Sequence, residues 1–459
     1  MTKISDQIKS IVIIPGSGEF VYDTELVVKS GTSLNGHLGD SISHARATVD
    51  TLLSTFPNLK NVSVVIGWFA DSIEAGKMTI SPRVEHSVLH KNDQWKVGNY
   101  VRNNTKVTKN WGGTPSDKSV VNLVKALTDK GLEVTIYPML YVDDPDKSWR
   151  GDIDAKNNKG VDNFFAQYNK FIMHYATLKY QDVKLKDLAK NFIIGSEMVK
   201  LLQYDEGNNK YYAVKKMTEL AMQIKHTLGQ EVSTIYAANW GEYGRHPKTG
   251  YYYLDKLYNK IDKVGINAYF RLTDDLSQDQ ITPDVIKSGW ESGIDYDYWV
   301  DGNNTKKVIN DLSYAAKALK PWFLSKHINP NGHATSWVPG DQPGAKEVLA
   351  TEIGYASVDC TTNDPGKFYS PGTKGSGLPP HSLGAIDYSA QTDAISSAIA
   401  YWDEVHSKDT SHQYDKLFNQ LDWYCYDIRG NLDEFSDEFS DASDYLYGHW
   451  IKLEDNFVA

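Results

Sequence analysis

Two glutamates in this chain of 459 residues each close an apolar, β-branched run. One run reads Phe192-Ile193-Ile194-Gly195-Ser196-Glu197 and the other Val348-Leu349-Ala350-Thr351-Glu352. Neighbouring carboxyls are the equipment of glycoside hydrolysis: one protonates the leaving oxygen and the other, ionised, attacks the anomeric carbon. The expected division is a raised pKa on Glu197, by repulsion between the pair, and an ionised Glu352. A polar residue after a strand is common, so either glutamate alone says little. The ends of other apolar runs carry residues suited to sugars, since indoles stack on pyranose faces while amides and carboxylates bond to hydroxyls. Trp68, Asp143, Asn239, Trp240, Asn267, Tyr269 and Trp423 are therefore the expected substrate contacts, with Tyr269 also donating to Glu352 to keep it ionised. The 13 histidines show no H-E-x-x-H spacing, and the chain has no G-x-S-x-G and no Walker loop. Neither a metal nor a cofactor is expected.

Such residues need elements that bring them to one face. Eight β-branched runs are expected as strands: Ser10–Ile14, Val62–Trp68, Val134–Leu140, Phe192–Gly195, Val232–Ala238, Lys263–Ala268, Glu347–Thr351 and Leu417–Trp423. Amphipathic segments alternate with them. Helices are expected over Ser41–Phe56, from a Thr114 cap with Pro115 in the first turn to a stop at Gly131, and over Val161–Tyr180, Tyr211–Leu228, Lys306–Leu319 and Tyr388–His406. Eight strand–helix alternations define an α/β chain and fit a (β/α)8 TIM barrel, with a doubly wound sheet as the alternative topology. In a barrel, carboxyls from strands four and seven face each other across the mouth, about 5 Å apart in a retaining pair. The residues beyond the roughly 250 of a plain barrel fall in long loops on the C-terminal face: 80–113, 271–302 and 359–384. No linker or repeat divides the chain, so residues 1–459 read as one elaborated domain, with Asp433–Asp444 as a solvated acidic stretch.

Composition narrows the partners. With 48 Lys plus Arg against 59 Asp plus Glu, the net charge of -11 disfavours nucleic acid. No apolar run reaches the roughly 20 residues of a membrane span, so no membrane insertion is expected. Ile11–Ile14, followed by Pro15 and Gly16, is neither signal peptide nor anchor, which implies synthesis in the cytoplasm without a signal peptide. Cys360 and Cys425 are expected as free thiols.

Several stretches in order carry a family resemblance: SVVIGWFAD at 63–71, WGGTPSDKSVV at 111–121, Trp149-Arg150-Gly151, Ile193–Glu197, YAANWGEYG at 236–244, VGINAY at 264–269, ATEIGYASVD at 350–359 and YGHW at 447–450. From about residue 10 to 451 the chain resembles the glycoside hydrolase TIM-barrel-like domain of gene transfer agent host-specificity proteins and related phage tail-tip (baseplate hub) proteins. The resemblance implies a bacterial surface or cell-wall polysaccharide as substrate, other phage-like tail proteins as partners, and assembly into a phage-like particle. It also implies acid/base and nucleophile roles for Glu197 and Glu352. One position departs from the pattern. The related glycosidase clan has Asn before its acid/base, contacting the sugar 2-hydroxyl, and this chain has Ser196. That departure supports a rival expectation, a glycan-binding or structural tail component that cleaves nothing.

Overall fold

The computed structural model describes residues 3–37, 41–88, 94–337, 339–340, 345–368, 376–429 and 447–452. Asp433–Asp444 lies outside them. Eight parallel strands form the central sheet: β1 Ser10–Ile14, β2 Asn61–Ala70, β3 Glu133–Val142, β4 Ala189–Ser196, β5 Ser233–Asn239, β6 Lys263–Asn267, β7 Val348–Ile353 and β8 Leu417–Asp427. Neighbours in sequence are neighbours in the sheet, and β1 pairs with both β8 and β2, so the sheet closes. The result is a (β/α)8 TIM barrel built from the eight expected runs.

The crossovers carry α1 His44–Thr55, α2 Asp117–Asp129, α3 Asn158–Thr177, α4 Tyr212–Leu228, α5 Asp255–Tyr258, α6 Pro283–Ser288, α7 Leu319–Leu324 and α8 Tyr388–Lys408. Local chemistry sets their starts. The Asn157 side chain accepts from the Gly160 amide at the head of α3, and Asp387 accepts from the Ala390 amide at the head of α8. At α2 the cap is Ser116, two residues beyond the expected Thr114. Thr114 is buried and spends its hydroxyl on the Gly67 carbonyl, 2.9 Å away, tying the loop to β2. The expected helix over Lys306–Leu319 does not form. Lys306–Val308 instead pairs with Tyr298–Val300 as an antiparallel hairpin, and helix begins only at Leu319. Val308, Leu312 and Tyr314 are exposed there, so the apolar spacing marks no buried helical face.

Strand alternation divides the core. Val12, Ile14, Val65, Tyr137, Met139, Ile193, Ile235, Ala237, Leu349 and Cys425 fill the barrel interior, while the outward residues pack against the helices. Bulges interrupt the alternation where the site is built. Between β4 and β5 the register jumps across Ile194, so that Ser196 pairs with Ala237. Between β6 and β7 it jumps from Ile266↔Ala350 to Asn267↔Glu352, leaving Thr351 as the extra residue. A bulge of one residue re-aims everything beyond it. Here both bulges lie just before the two glutamates.

Candidate active site

Glu197 and Glu352 stand at the C-terminal mouth, 5% and 4% exposed, in an open cleft of about 1370 Å³. Glu197 has a left-handed backbone (φ 51°), a conformation that costs a non-glycine residue energy and that collects at functional sites. Its amide donates to the Ala237 carbonyl at 2.9 Å, which holds the turn. Its carboxylate is surrounded by donors: Asn239 Nδ2 reaches Oε1 at 2.8 Å, while Trp149 Nε1 at 3.0 Å and Arg150 Nη2 at 2.8 Å reach Oε2.

Glu352 is held differently. The Tyr137 hydroxyl donates to Oε1 at 2.5 Å, and the Tyr269 hydroxyl donates to Oε2 at 2.8 Å. Because Tyr137 spends its proton on Glu352, the Ser196 hydroxyl 2.8 Å away donates to the tyrosine oxygen. Ser196 in turn accepts from Asn267 Nδ2 at 3.3 Å and Arg150 Nη2 at 3.1 Å, and Asn267 Oδ1 accepts from Thr351 at 3.0 Å. Where the related clan places an amide toward the sugar, this chain has a hydroxyl that links the two carboxyl sites from below.

Among the described residues Arg150 is the one cation shared by both glutamates. Its Nη2 lies 3.9 Å from Glu352 Oε1 and its Nε donates to the Ser196 carbonyl. It comes from the β3–α3 loop, in a short 3₁₀ turn that leaves Gly151 against the Trp149 indole. A Cβ at position 151 would sit 2.4 Å from that ring, so Gly151 is what lets Trp149 lie over Glu197.

Electrostatics reverse part of the expected division. Burial first, and then the charge of Glu197, push the Glu352 carboxyl up to about 7, against the opposing pull of Arg150 and the two tyrosine hydroxyls. Tyr269 donates to Glu352 as expected, but does not keep it in the ordinary carboxylate range. The folded protein therefore holds more protons on Glu352 than the unfolded chain between about 4.5 and about 7. Stability from this group is present below the unfolded value and is lost as pH rises through the folded one. Glu352→Gln is expected to raise the melting temperature relative to wild type more at pH 8 than at pH 5, read by calorimetry at the two pH values. An equal shift at both would contradict the raised value.

Of the expected contacts, the structure brings Asn239, Trp240 and Tyr269 to the cleft with the two glutamates. Asn267 lies one layer below, in the hydroxyl network. Asp143 turns from the cleft to accept the Lys109 and Asn110 amides at 3.0 and 3.1 Å, and so fixes the loop that forms one wall. Trp68 and Trp423 are corrections. Trp68 points outward from β2, stacks on Phe171 of α3 at 5.0 Å and donates to the Tyr175 hydroxyl. Trp423 also faces outward, in the helix-side core near Tyr355. The 271–302 loop likewise lines no part of the cleft, whereas the 80–113 and 359–384 loops do. Arg150, Trp149 and Tyr137 were not expected at the site. Trp149-Arg150-Gly151 stood out only as part of the resemblance, without a role.

Cys360 and Cys425 are buried and unpaired. Among the described residues no three His, Cys, Asp or Glu side chains gather as a metal ion would require. No helix among them is long and apolar enough to cross a membrane.

The closed parallel barrel, with Glu197 just after β4 and Glu352 near the end of β7, has the (β/α)8 architecture of the TIM barrels. Solved structures with this fold include a GH113 β-1,4-mannanase, with a TM-score of 0.52 at 13% identity, covering 99% of this chain and 97% of that one. A GH113 β-mannanase from Alicyclobacillus acidocaldarius in complex with ManMIm gives 0.47 at 12% identity, covering 98% and 93%. At 13% identity the likeness to the first speaks of fold alone. No curated protein matches the chain. The family model of the GTA TIM-barrel-like domain matches residues 166–431, and the chain belongs to that family.

Proposed function

We propose that the chain is a retaining O-glycoside hydrolase that cuts a bacterial surface or cell-wall polysaccharide as part of a phage-like tail tip. The observation that carries the chemistry is the shared guanidinium. Arg150 Nη2 lies 2.8 Å from one carboxyl and 3.9 Å from the other, so the two oxygens are no farther apart than those distances laid end to end. That bound accommodates the roughly 5 Å of a retaining pair. Glu352 attacks the anomeric carbon as Glu197 gives a proton to the departing oxygen. Glu197 then takes a proton from water, and the water oxygen displaces Glu352 from the sugar. Trp149, Trp240 and Tyr269 supply ring faces and hydroxyls around the sugar. The family's name supports the tail setting.

Incubation with host envelope polysaccharide is expected to release new reducing ends, with the anomeric configuration retained in proton NMR of the first product. Inversion would overturn the nucleophile role. Because Glu352 must be ionised to attack and its value is raised to about 7, kcat/KM is expected to climb as pH rises through that value. A flat profile between pH 6 and 8 would contradict it.

One observation favours a second reading, a glycan-binding tail component without turnover. Glu197 accepts from three N–H donors, and the acceptor oxygen of the Asn239 amide is itself taken by the Gly241 amide at 2.9 Å, so none of the three turns an acceptor to a protonated carboxyl. Binding of polysaccharide with no new reducing ends would select this reading.

A further inference from the structure

The charges along the cleft are not balanced on one wall. Its carboxylates outside the catalytic pair are occupied: Glu85 accepts the Glu19 and Gly113 amides, Asp427 is forked to Arg429, Asp152 pairs with Lys200, and Asp364 lies beside Lys367. Lys109 and Lys147, on the wall formed by the β2–α2 and β3–α3 loops, have no carboxylate partner among the described residues. The Lys147 ammonium lies 5.8 Å from the centre of the Trp111 ring, and the Trp111 indole is itself pinned by its N–H to the Val142 carbonyl at 2.9 Å. Trp149, 37% exposed, and Arg150 continue this wall to the two glutamates. In a chain of net charge -11, a cationic track interleaved with indoles is a local feature that global charge does not explain.

Arg150 adds a reason specific to the chemistry. As it stands, its Nη2 fills an acceptor site on Glu197, the group that must carry a proton to the leaving oxygen. A protonated Glu197 accepts more weakly from Arg150 than the carboxylate does, and the carboxylate of an acidic sugar would offer that guanidinium a charged acceptor in its place. Planar guanidinium groups match carboxylates in a two-point fork, and an exposed ammonium track attracts a polyanion.

We propose that the glycan taken by this cleft is a carboxylate-bearing polysaccharide, with an acidic sugar engaging Arg150 beside the glutamates and further carboxylates following Lys147 and Lys109. This rests on the hydrolase reading for its catalytic part and on the wall residues for its binding part, and the experiment separates the two.

Native electrophoresis is run through gels cast with polygalacturonate, alginate or hyaluronan, each beside its carboxyl-reduced counterpart, in which the carboxylate has become a hydroxymethyl group. At least one acidic polymer is expected to retard the protein, and its reduced partner to bind about tenfold more weakly or worse, the loss of one charge-assisted contact. Retention should fall as salt is added. The Lys109→Ala/Lys147→Ala double variant, which changes two side chains without a carboxylate partner, should lose retention several-fold with an unchanged melting temperature. Arg150→Gln should lose it further, with a native circular dichroism spectrum as the control for folding. Equal binding of a reduced polymer, or no retardation by any acidic one, overturns the proposal. Hydrolysis of a neutral glycan without preference for an acidic one would overturn it while leaving the hydrolase reading intact. Retention of an acidic polymer, together with binding of host envelope polysaccharide that yields no new reducing ends, would support it and sink the hydrolase reading.

Discussion

Glu352→Gln is expected to lower turnover on the order of 10⁴-fold or more, the scale on which removing an attacking group from a catalytic unit is felt. The amide is nearly isosteric, but its nitrogen is no nucleophile toward an anomeric carbon and its oxygen cannot carry the glycosyl group as an ester. The surroundings hold the replacement in place: Tyr137 and Tyr269 fix the two oxygens of Glu352, the bulge at Thr351 fixes its direction, and the residue is buried. Substrate affinity should change little, because the wall proposed to bind the glycan is built from other loops. The measurement is single-turnover hydrolysis on the polysaccharide identified by reducing-end release, with the melting curve as the control for folding. Activity within tenfold of wild type would remove Glu352 from the nucleophile role, whatever the fate of Glu197. Tyr137→Phe tests the support beneath it. Losing one donor to the ionised form should push the Glu352 carboxyl further up, so the rise of kcat/KM with pH should move to higher pH.

The barrel was legible because its signal is redundant. Most of the eight strands are apolar runs buried on both faces, β8 with its exposed Asn419 being the exception, so the runs stand out against the amphipathic crossovers even where their ends are blurred. The same property hid the direction of individual side chains. In β2 the residues Val62 to Ala70 are all buried, leaving no polar alternation from which to read that Val65 faces the barrel and Trp68 faces α3. In β8 the register runs Val12↔Tyr424 and then Ile13↔Tyr426, so Cys425 is an extra residue, and simple parity from Cys425 would send Trp423 the wrong way. Bulges leave no mark in hydropathy. Glu197 and Glu352 stand out despite this because a carboxyl at the very end of an apolar run marks the mouth, Glu197 lying just past β4 and Glu352 one residue before the end of β7. Arg150 lies in a loop, eight residues beyond the end of β3, and only the fold of that loop carries it back over the carboxyls. The failed helix over Lys306–Leu319 has another cause: Val308, Leu312 and Tyr314 stay exposed, so their spacing is not that of a buried face.

Glu197→Ala gives the second large effect, and it separates the acid step from the base step. Without its proton donor the enzyme should lose on the order of 10²–10⁴-fold on substrates with a poor leaving group. With an activated leaving group such as a dinitrophenolate, which departs without a proton, formation of the glycosyl–Glu352 ester should be nearly normal, and its hydrolysis, now without a base, should become limiting. A burst of released phenolate followed by a slow steady state is the expected trace. Removing the carboxyl also frees Asn239 Nδ2, Trp149 Nε1 and Arg150 Nη2, the three donors that now point at it. They line a hole of one carboxylate's size with positive character, so a small anion should enter it readily. Added azide is therefore expected to accelerate the slow phase and to yield a glycosyl azide of retained configuration, because it attacks the intermediate from the face opposite Glu352. A glycosyl azide of inverted configuration would mean that azide displaced the leaving group directly with no ester on Glu352. Absence of both burst and rescue in a folded Glu197→Ala protein would place the proton donor elsewhere in the cleft. The Arg150 clamp would then read as a device for binding an acidic glycan rather than for releasing a catalytic acid.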